Sequence, residues 1–399
     1  MSKAYLILAD GSVFEGKSIG AEGKTIGETV FTTGMTGYVE TLTDPSYYGQ
    51  IVTQTFPLIG NYGIECEDFE SKKSFVSGYI VRELCDGPSN FRCQDKLDNF
   101  LKSQGIVGIC GIDTRALTKK LRESGVMNGM IVSGEILKQV QDDVNGQNDK
   151  RLDEIRAYTI TNAVKSVQSD TEGKVSPSAA MAKPFPPAPS AGEIPRNAPH
   201  VVLFDFGAKA NIQRELEKRG CQVIVVPYDT SAEKVIALKP DGIMLSNGPG
   251  DPAENVGVIE EIRKLCEWNK ETLKQVQGDG KTIPIFGICL GHQMLSLARG
   301  AKTCRLKYGH RGGNHPVKDL KTGRVYITSQ NHGYAVETAT LPDFARETFV
   351  NLNDGTCEGV EYTDIPAFSV QFHPEACGGP HDTNFLFDRF LEMIKNATK

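Results

Sequence analysis

Three short stretches carry residue types that could do covalent chemistry. The first is Gly287-Ile288-Cys289-Leu290-Gly291, a thiol with a glycine two residues to either side. An apolar run from Ile283 to Phe286 leads into it, and a helical pattern through Met294, Leu295 and Leu297 follows. Strand, sharp turn and helix with flanking glycines is the pattern of a nucleophile elbow, here with sulfur in place of a hydroxyl. Side chains at 287 and 291 would collide with neighbouring backbone, and the tight turn forces the central residue into a strained conformation. A thiol at a helix start also sits where backbone N–H groups and the helix dipole favour thiolate. The same pattern fits a buried structural cysteine, so partners have to decide. The second stretch is His373-Pro374-Glu375, which follows the strand-like run from Ala367 to Phe372. Residues two apart in extended chain face one way, so the carboxylate could orient the imidazole while the imidazole takes a proton from sulfur. The third is Ser246-Asn247-Gly248-Pro249-Gly250-Asp251-Pro252, directly after an apolar strand. Its backbone N–H groups suit an oxyanion hole, with the N–H of Leu290 as second donor. A plain turn or a phosphate cradle is also open, although the Lys and Ser/Thr of a P-loop are missing.

The elements that would hold these residues follow from periodicity. From residue 200 onward short apolar strands (His200–Phe206, Cys221–Val226, Asp241–Ser246, Ile283–Ile288) alternate with helical segments such as Asn211 to Gly220. That alternation predicts a mostly parallel sheet with helices on both faces, and chemistry at the carboxyl ends of its strands. Before it lies a smaller mixed α/β domain, 1–164, with strand-like runs at Ala4–Leu8, Thr29–Thr32, Gln50–Thr55, Val76–Val81 and Ile106–Ile109. Asp113 or Thr114 caps a helix running to Gly125. Residues 36–47, dense in small polar side chains, read as a loop. Between the domains, 165–199 is a linker: seven of the 20 prolines lie from Pro177 to Pro199, which bars helix and central strand. A near-repeat, Leu137-Lys138-Gln139-Val140-Gln141 and Leu273-Lys274-Gln275-Val276-Gln277, marks two expected surface insertions at about 137–150 and 271–280.

With 399 residues, 24% charged and a net charge of -6, the chain has no basic cluster that would call for nucleic acid. No apolar run approaches the roughly 18–20 residues of a membrane span, and the first residues lack the apolar core of a signal peptide. Ten cysteines without paired spacing predict neither disulfides nor a metal site, and a cytoplasmic setting.

Taken together, GICLGHQ, SNGPGDP and FHPE resemble the triad-type (class I) glutamine amidotransferases. Lys307-Tyr308-Gly309-His310 through Pro316, Gln330-Asn331-His332-Gly333-Tyr334, Phe31 through Tyr38 and Leu42 through Tyr47 are similar to segments of one branch, the small subunits of carbamoyl-phosphate synthase. The resemblance covers nearly the whole chain outside the linker and insertions. It implies Cys289, His373 and Glu375 as catalytic triad and Gly250 and Leu290 as oxyanion donors. It implies a glutamine pocket of Ser46, Gly248, Gly250, Leu290, Gln293, Asn331, Gly333 and Tyr334, with Ser46 supplied by the first domain. It further implies L-glutamine as substrate and a large ATP-dependent subunit as partner, with no cofactor on this chain and Mg-ATP on that partner. Phe372 and Tyr334 depart from the glycine and phenylalanine expected there, and Cys377, two residues after Glu375, is read as incidental. The rival readings are the amidotransferase subunit of another synthase and a free-standing cysteine hydrolase.

Overall fold

The computed structural model describes residues 2–134, 150–168, 198–274 and 281–397. They form two units, Met1–Thr161 and Asn162–Lys399. Most of the linker, the first near-repeat and residues 275–277 of the second lie outside the described residues. Of the two expected insertions, only residue 150 and residues 271–274 fall inside, at the ends of the helices Lys150–Ala157 and Val256–Lys274.

The first unit is a closed barrel of seven strands. Around it run Lys3–Leu8, Val13–Gly20, Val107–Cys110, Gly78–Ile80, Gln50–Gln54, Lys24–Thr32 and Met127–Ser133. The helix Thr114–Ser124 is capped as expected, with Asp113 accepting from the Ala116 N–H at 2.9 Å. Residues 36–47 are not simply a loop. They hold the helix Tyr38–Thr43 and a 3₁₀ turn, Pro45–Tyr47. The reason is apolar anchoring that so short a segment conceals: Tyr38, Val39 and Leu42 are buried, and Tyr38 stacks on Tyr62 at 4.1 Å. The Tyr62 hydroxyl also accepts from the N–H groups of Gly37 and Tyr38, satisfying donors that a helix start leaves orphaned.

The second unit is built on nine strands. In spatial order they are Gln222–Pro227, His200–Asp205, Gly242–Leu245, Ile285–Ile288, Ala367–Val370, Cys357–Tyr362, Val325–Val336, Thr303–Asp319 and Ala345–Asn351. The first five are parallel, as the alternation of strands and helices predicted; the remaining four extend the sheet antiparallel. Period-two alternation sends successive side chains to opposite faces. Val202, Phe204, Ile243, Leu245 and Ile285 join a core with helices Val256–Lys274 and Leu290–Ala298, while Val201, Leu203, Met244, Phe286 and Ile288 join one with helices Ala210–Lys218 and Phe385–Ala397. Helices therefore cover both faces of the parallel half.

The boundary between units lies earlier than the sequence suggested. Residues 163–166 form a short helix of the second unit, and Val164 is buried among Val202, Phe204 and Phe206. An apolar anchor ties this stretch down before the proline-rich segment begins. No helix among the described residues is long and apolar enough to cross a membrane.

Phe286 is the centre of the second core, stacked on Phe368 at 4.3 Å and edge-on to Phe387 at 5.8 Å. Phe286→Ala should destabilise the protein by about 3–5 kcal/mol, the usual range for emptying a fully buried aromatic site. Chemical denaturation with ligand absent checks this, and a loss below 1 kcal/mol would show that the core collapses to fill the space.

Candidate active site

Strand Ile285–Ile288 delivers Cys289 to the N-cap of helix Leu290–Ala298 with φ 53° and ψ -102°. Among the described non-glycine residues only Asn162 and Lys239 share a positive φ. Such a conformation persists where surroundings enforce it, and here they do. The Cys289 N–H is held by the Val370 carbonyl at 2.9 Å and the Gly291 N–H by the Ser246 carbonyl at 3.0 Å. A Cβ on Gly291 would lie 2.3 Å from the Leu245 oxygen, and one on Gly287 would lie 2.9 Å from Gly291 backbone. Both glycines are therefore obligatory, and the elbow predicted from their spacing is present.

Strand Ala367–Val370 lies beside the elbow strand, pairing Gly287 with Ser369 and Ile288 with Val370. Its continuation carries Gln371, His373 and Glu375. His373 Nδ1 is 2.7 Å from Glu375 Oε1, and both side chains are fully buried. Nδ1 therefore carries the proton shared with Glu375, which leaves Nε2, buried without a hydrogen-bond partner, as the atom able to exchange a proton with Cys289. Phe372, the departure from an expected glycine, is buried against Phe349 at 5.4 Å.

A third charge, which no motif announced, stands at this pair. Lys209 at the start of helix Ala210–Lys218 is itself buried and places Nζ 3.3 Å from Glu375 Oε1 and 3.2 Å from His373 Nδ1. Burial and the Lys209 cation oppose a charge on His373, but Glu375 and the Cys289 sulfur outweigh them and raise its pKa to about 10. Burial likewise opposes ionisation of Glu375, yet His373 and Lys209 hold its pKa down at about 2. The group is thus a buried cluster of one anion between two cations. Asn211 steadies it by donating to the Glu375 carbonyl.

Of the expected glutamine-binding residues, several converge on the thiol. Cys289 Sγ lies 3.7 Å from the Asn331 carbonyl. Gln293 Nε2 donates to the Tyr334 carbonyl at 2.7 Å and to Gln371 Oε1 at 2.9 Å. Gln371 Nε2 reaches Cys289 Sγ at 3.6 Å. Gln371 was missed, though its place two residues before His373 on one strand was the available signal. Gly248 packs against Phe206 and Leu290, where a Cβ would meet the Phe206 oxygen at 2.2 Å. Gly250 has φ +88°, and a Cβ there would be 2.7 Å from Ala163. Leu290 is the first helical residue, so its N–H has no intrahelical acceptor and is available to an oxyanion. Gly333 lies beside Gly309, whose Cβ would come within 3.2 Å of its Cα. Ser46 sits in the 3₁₀ turn of the first unit, its N–H bonded to Asp44 at 2.9 Å. Cys377 is exposed, unlike Cys289, and none of the ten cysteines forms a disulfide.

No metal was expected. Among the described residues, His310, His332 and Glu358 do bring three donor atoms within 4.8 Å of one another. The Gln330 amide stands between the two imidazoles, 2.9 Å from His310 Nδ1 and 3.0 Å from His332 Nε2. That side chain takes the place an ion would need.

Residues 202–393 match the family described as glutamine amidotransferase class-I, and 6–131 match the carbamoyl-phosphate synthase small chain, CPSase domain. The chain belongs to the carbamoyl-phosphate synthase small-chain family. Proteins named carbamoyl phosphate synthase small chain are similar to it throughout. The one from Fusobacterium nucleatum is 49% identical over 401 residues, covering 100% of both chains. That of Bacillus cereus is 50% identical over 398 residues (100% of this chain, 97% of the relative), and that of Clostridium perfringens 49% over 390 (98% and 99%). The small-chain family thus accounts for both units, and the class I amidotransferase match spans every element that carries Cys289, His373, Glu375 and Lys209.

Proposed function

We propose that the chain is the glutaminase subunit of a glutamine-hydrolysing carbamoyl-phosphate synthase. Cys289 Sγ attacks the side-chain amide carbon of L-glutamine. Negative charge develops on the amide oxygen and is taken up by the N–H groups of Gly250 and Leu290. His373 passes a proton from Nε2 to the departing nitrogen, ammonia leaves, and a thioester remains. His373 then takes a proton from water, whose oxygen attacks the thioester, and glutamate and the thiol are regenerated. Glu375 keeps the imidazole oriented and favours its cation throughout. Gly248, Gln293, Asn331, Gly333 and Tyr334 line the glutamine.

The observation that carries this reading is the strained Cys289 on one strand with the buried His373–Glu375 pair at the end of the next. The ammonia goes to a large synthetase subunit, which joins it to bicarbonate using Mg-ATP and makes carbamoyl phosphate for arginine and pyrimidine biosynthesis. A cytoplasmic location goes with ten cysteines that form no disulfide. The isolated chain should release glutamate from glutamine slowly and make no carbamoyl phosphate. Adding the large subunit with bicarbonate and Mg-ATP should start synthesis and quicken glutaminase turnover. Carbamoyl phosphate formed by the isolated chain, or no glutamate formed by the complex, would refute the proposal.

A further inference from the structure

Behind the glutamine-lining segment Asn331–Tyr334 the sheet loses its regular backbone ladder. Arg305 pairs with Tyr334 and His310 with His332, so four residues, 306–309, oppose Gly333 alone. The bulge falls on Gly333, while Asn331, His332 and Tyr334 keep Arg311, His310 and Arg305 as register partners. Side chains tie the segment as well. His310 Nε2 is 2.8 Å from Asp354 Oδ2, and its Nδ1 is 2.9 Å from the Gln330 amide and 3.5 Å from Glu358 Oε1. The Gln330 amide reaches His332 Nε2 at 3.0 Å, and His332 Nδ1 reaches the Tyr334 carbonyl at 2.7 Å. That carbonyl is the one that accepts from Gln293, which leads through Gln371 to the sulfur of Cys289. Gln330 Oε1 faces both rings, and its Nε2 donates to Thr328 Oγ1 at 3.2 Å, which anchors the amide between His310 and His332. His310, Gln330, His332 and Glu358 are all buried, whereas Asp354 is partly exposed at the outer end.

We infer that His310 is a positioning residue for glutamine: held between Asp354 and Glu358, it sets the Gln330–His332 relay that fixes the Tyr334 carbonyl and the substrate-lining segment across the bulge. His310 touches neither substrate nor thiol, and its effect is therefore on how the pocket is presented. Replacing it leaves the relay without its fixed end, and Asn331–Tyr334 samples positions that fit glutamine less well. This inference rests on the glutamine-pocket assignment made above.

The test uses the complex with the large subunit and the variants His310→Leu and Asp354→Ala, the second partly exposed and so less prone to misfold. Glutamine-dependent and ammonia-dependent synthesis are measured in parallel, together with the alkylation rate of Cys289 by iodoacetamide. For His310→Leu, KM for glutamine should rise at least about tenfold, the effect of one lost buried hydrogen bond; kcat, ammonia-dependent synthesis and alkylation should change less than about twofold. Asp354→Ala should shift KM in the same direction by a smaller factor. An unchanged KM in a folded His310→Leu complex overturns the inference, as does an equal fall in ammonia-dependent synthesis, which would mark a general structural role. If His310→Leu fails to assemble, an unchanged KM in Asp354→Ala decides against it. One tightly bound metal per chain, whose chelation abolishes glutamine use, would overturn it in favour of a metal centre. A Cys289→Ser complex run alongside keeps the two readings apart, since glutamine use surviving in that complex would sink the pocket assignment itself.

Discussion

In the complex with its large subunit, Cys289→Ser is expected to lose glutamine-dependent carbamoyl phosphate synthesis by a factor on the order of 10³ or more, the scale seen when a covalent nucleophile is removed. Synthesis from added ammonia should persist, because that route bypasses the thiol. The substitution is nearly isosteric, and the elbow that holds residue 289 at φ 53° is built from Gly287, Gly291 and backbone bonds that do not involve sulfur. Loss of activity would therefore report chemistry rather than collapse. A hydroxyl is a far weaker nucleophile than a thiolate at neutral pH, and the variant also loses the sulfur that helps to raise the pKa of His373. Thermal unfolding within a few degrees of the unsubstituted chain, with both substrates compared in one preparation, checks the separation. Retained glutamine use would end the assignment of Cys289.

Glu375→Gln is expected to act on both rate and pH dependence. In the unsubstituted protein the carboxylate stays ionised above about 2 and His373 stays protonated to about 10. The depressed Glu375 contributes stability that is whole above its ordinary 4.5 and lost as pH falls through about 2. The raised His373 contributes stability that is whole below 6.5 and lost as pH climbs through about 10. Removing the anion leaves Lys209, which lowers the pKa of His373, without its counterweight. The alkaline limb of glutaminase activity should then move down by roughly one to three pH units. Turnover should fall on the order of 10³-fold, as when an orienting carboxylate of a triad is neutralised. Stability near neutrality should drop by about 3–5 kcal/mol, because a buried cation is left unpaired. Adding Lys209→Met to this variant should recover part of that stability without recovering turnover. An alkaline limb that stays where it was would show that Glu375 does not set the charge of His373.

The stretches that hold Cys289, His373, Glu375 and Gly250 could be read from the sequence because in each the backbone demands special residues. Glycine at 287 and 291 records a steric collision, and His-Pro-Glu records a strand end. Lys209 could not be read in this way. A buried lysine has no local signature, and only the return of a strand 164 residues later gives it partners. The antiparallel arm from Thr303 to Val336 was equally silent, since Gly309, Gly312, Gly313 and Pro316 interrupt the alternation that marks a strand. Two of them, Gly309 and Gly313, fall within the bulges. In the first unit, Tyr38–Thr43 hid for a different reason: six residues are too few for a helical period to show.

The order of strands in the second sheet sets a clock on the thiol. The elbow strand Ile285–Ile288 lies between Gly242–Leu245 and Ala367–Val370, the second of which is made long after it. Residue 373 follows residue 289 by 84 positions, so a ribosome adding about 5–20 residues per second needs roughly 4–17 s to supply the base after the nucleophile. During that interval Cys289 lacks His373, Glu375 and the strand whose Val370 carbonyl holds its N–H. The nascent chain carries a chemically ordinary cysteine, and glutamine is safe from it until that later strand has been made.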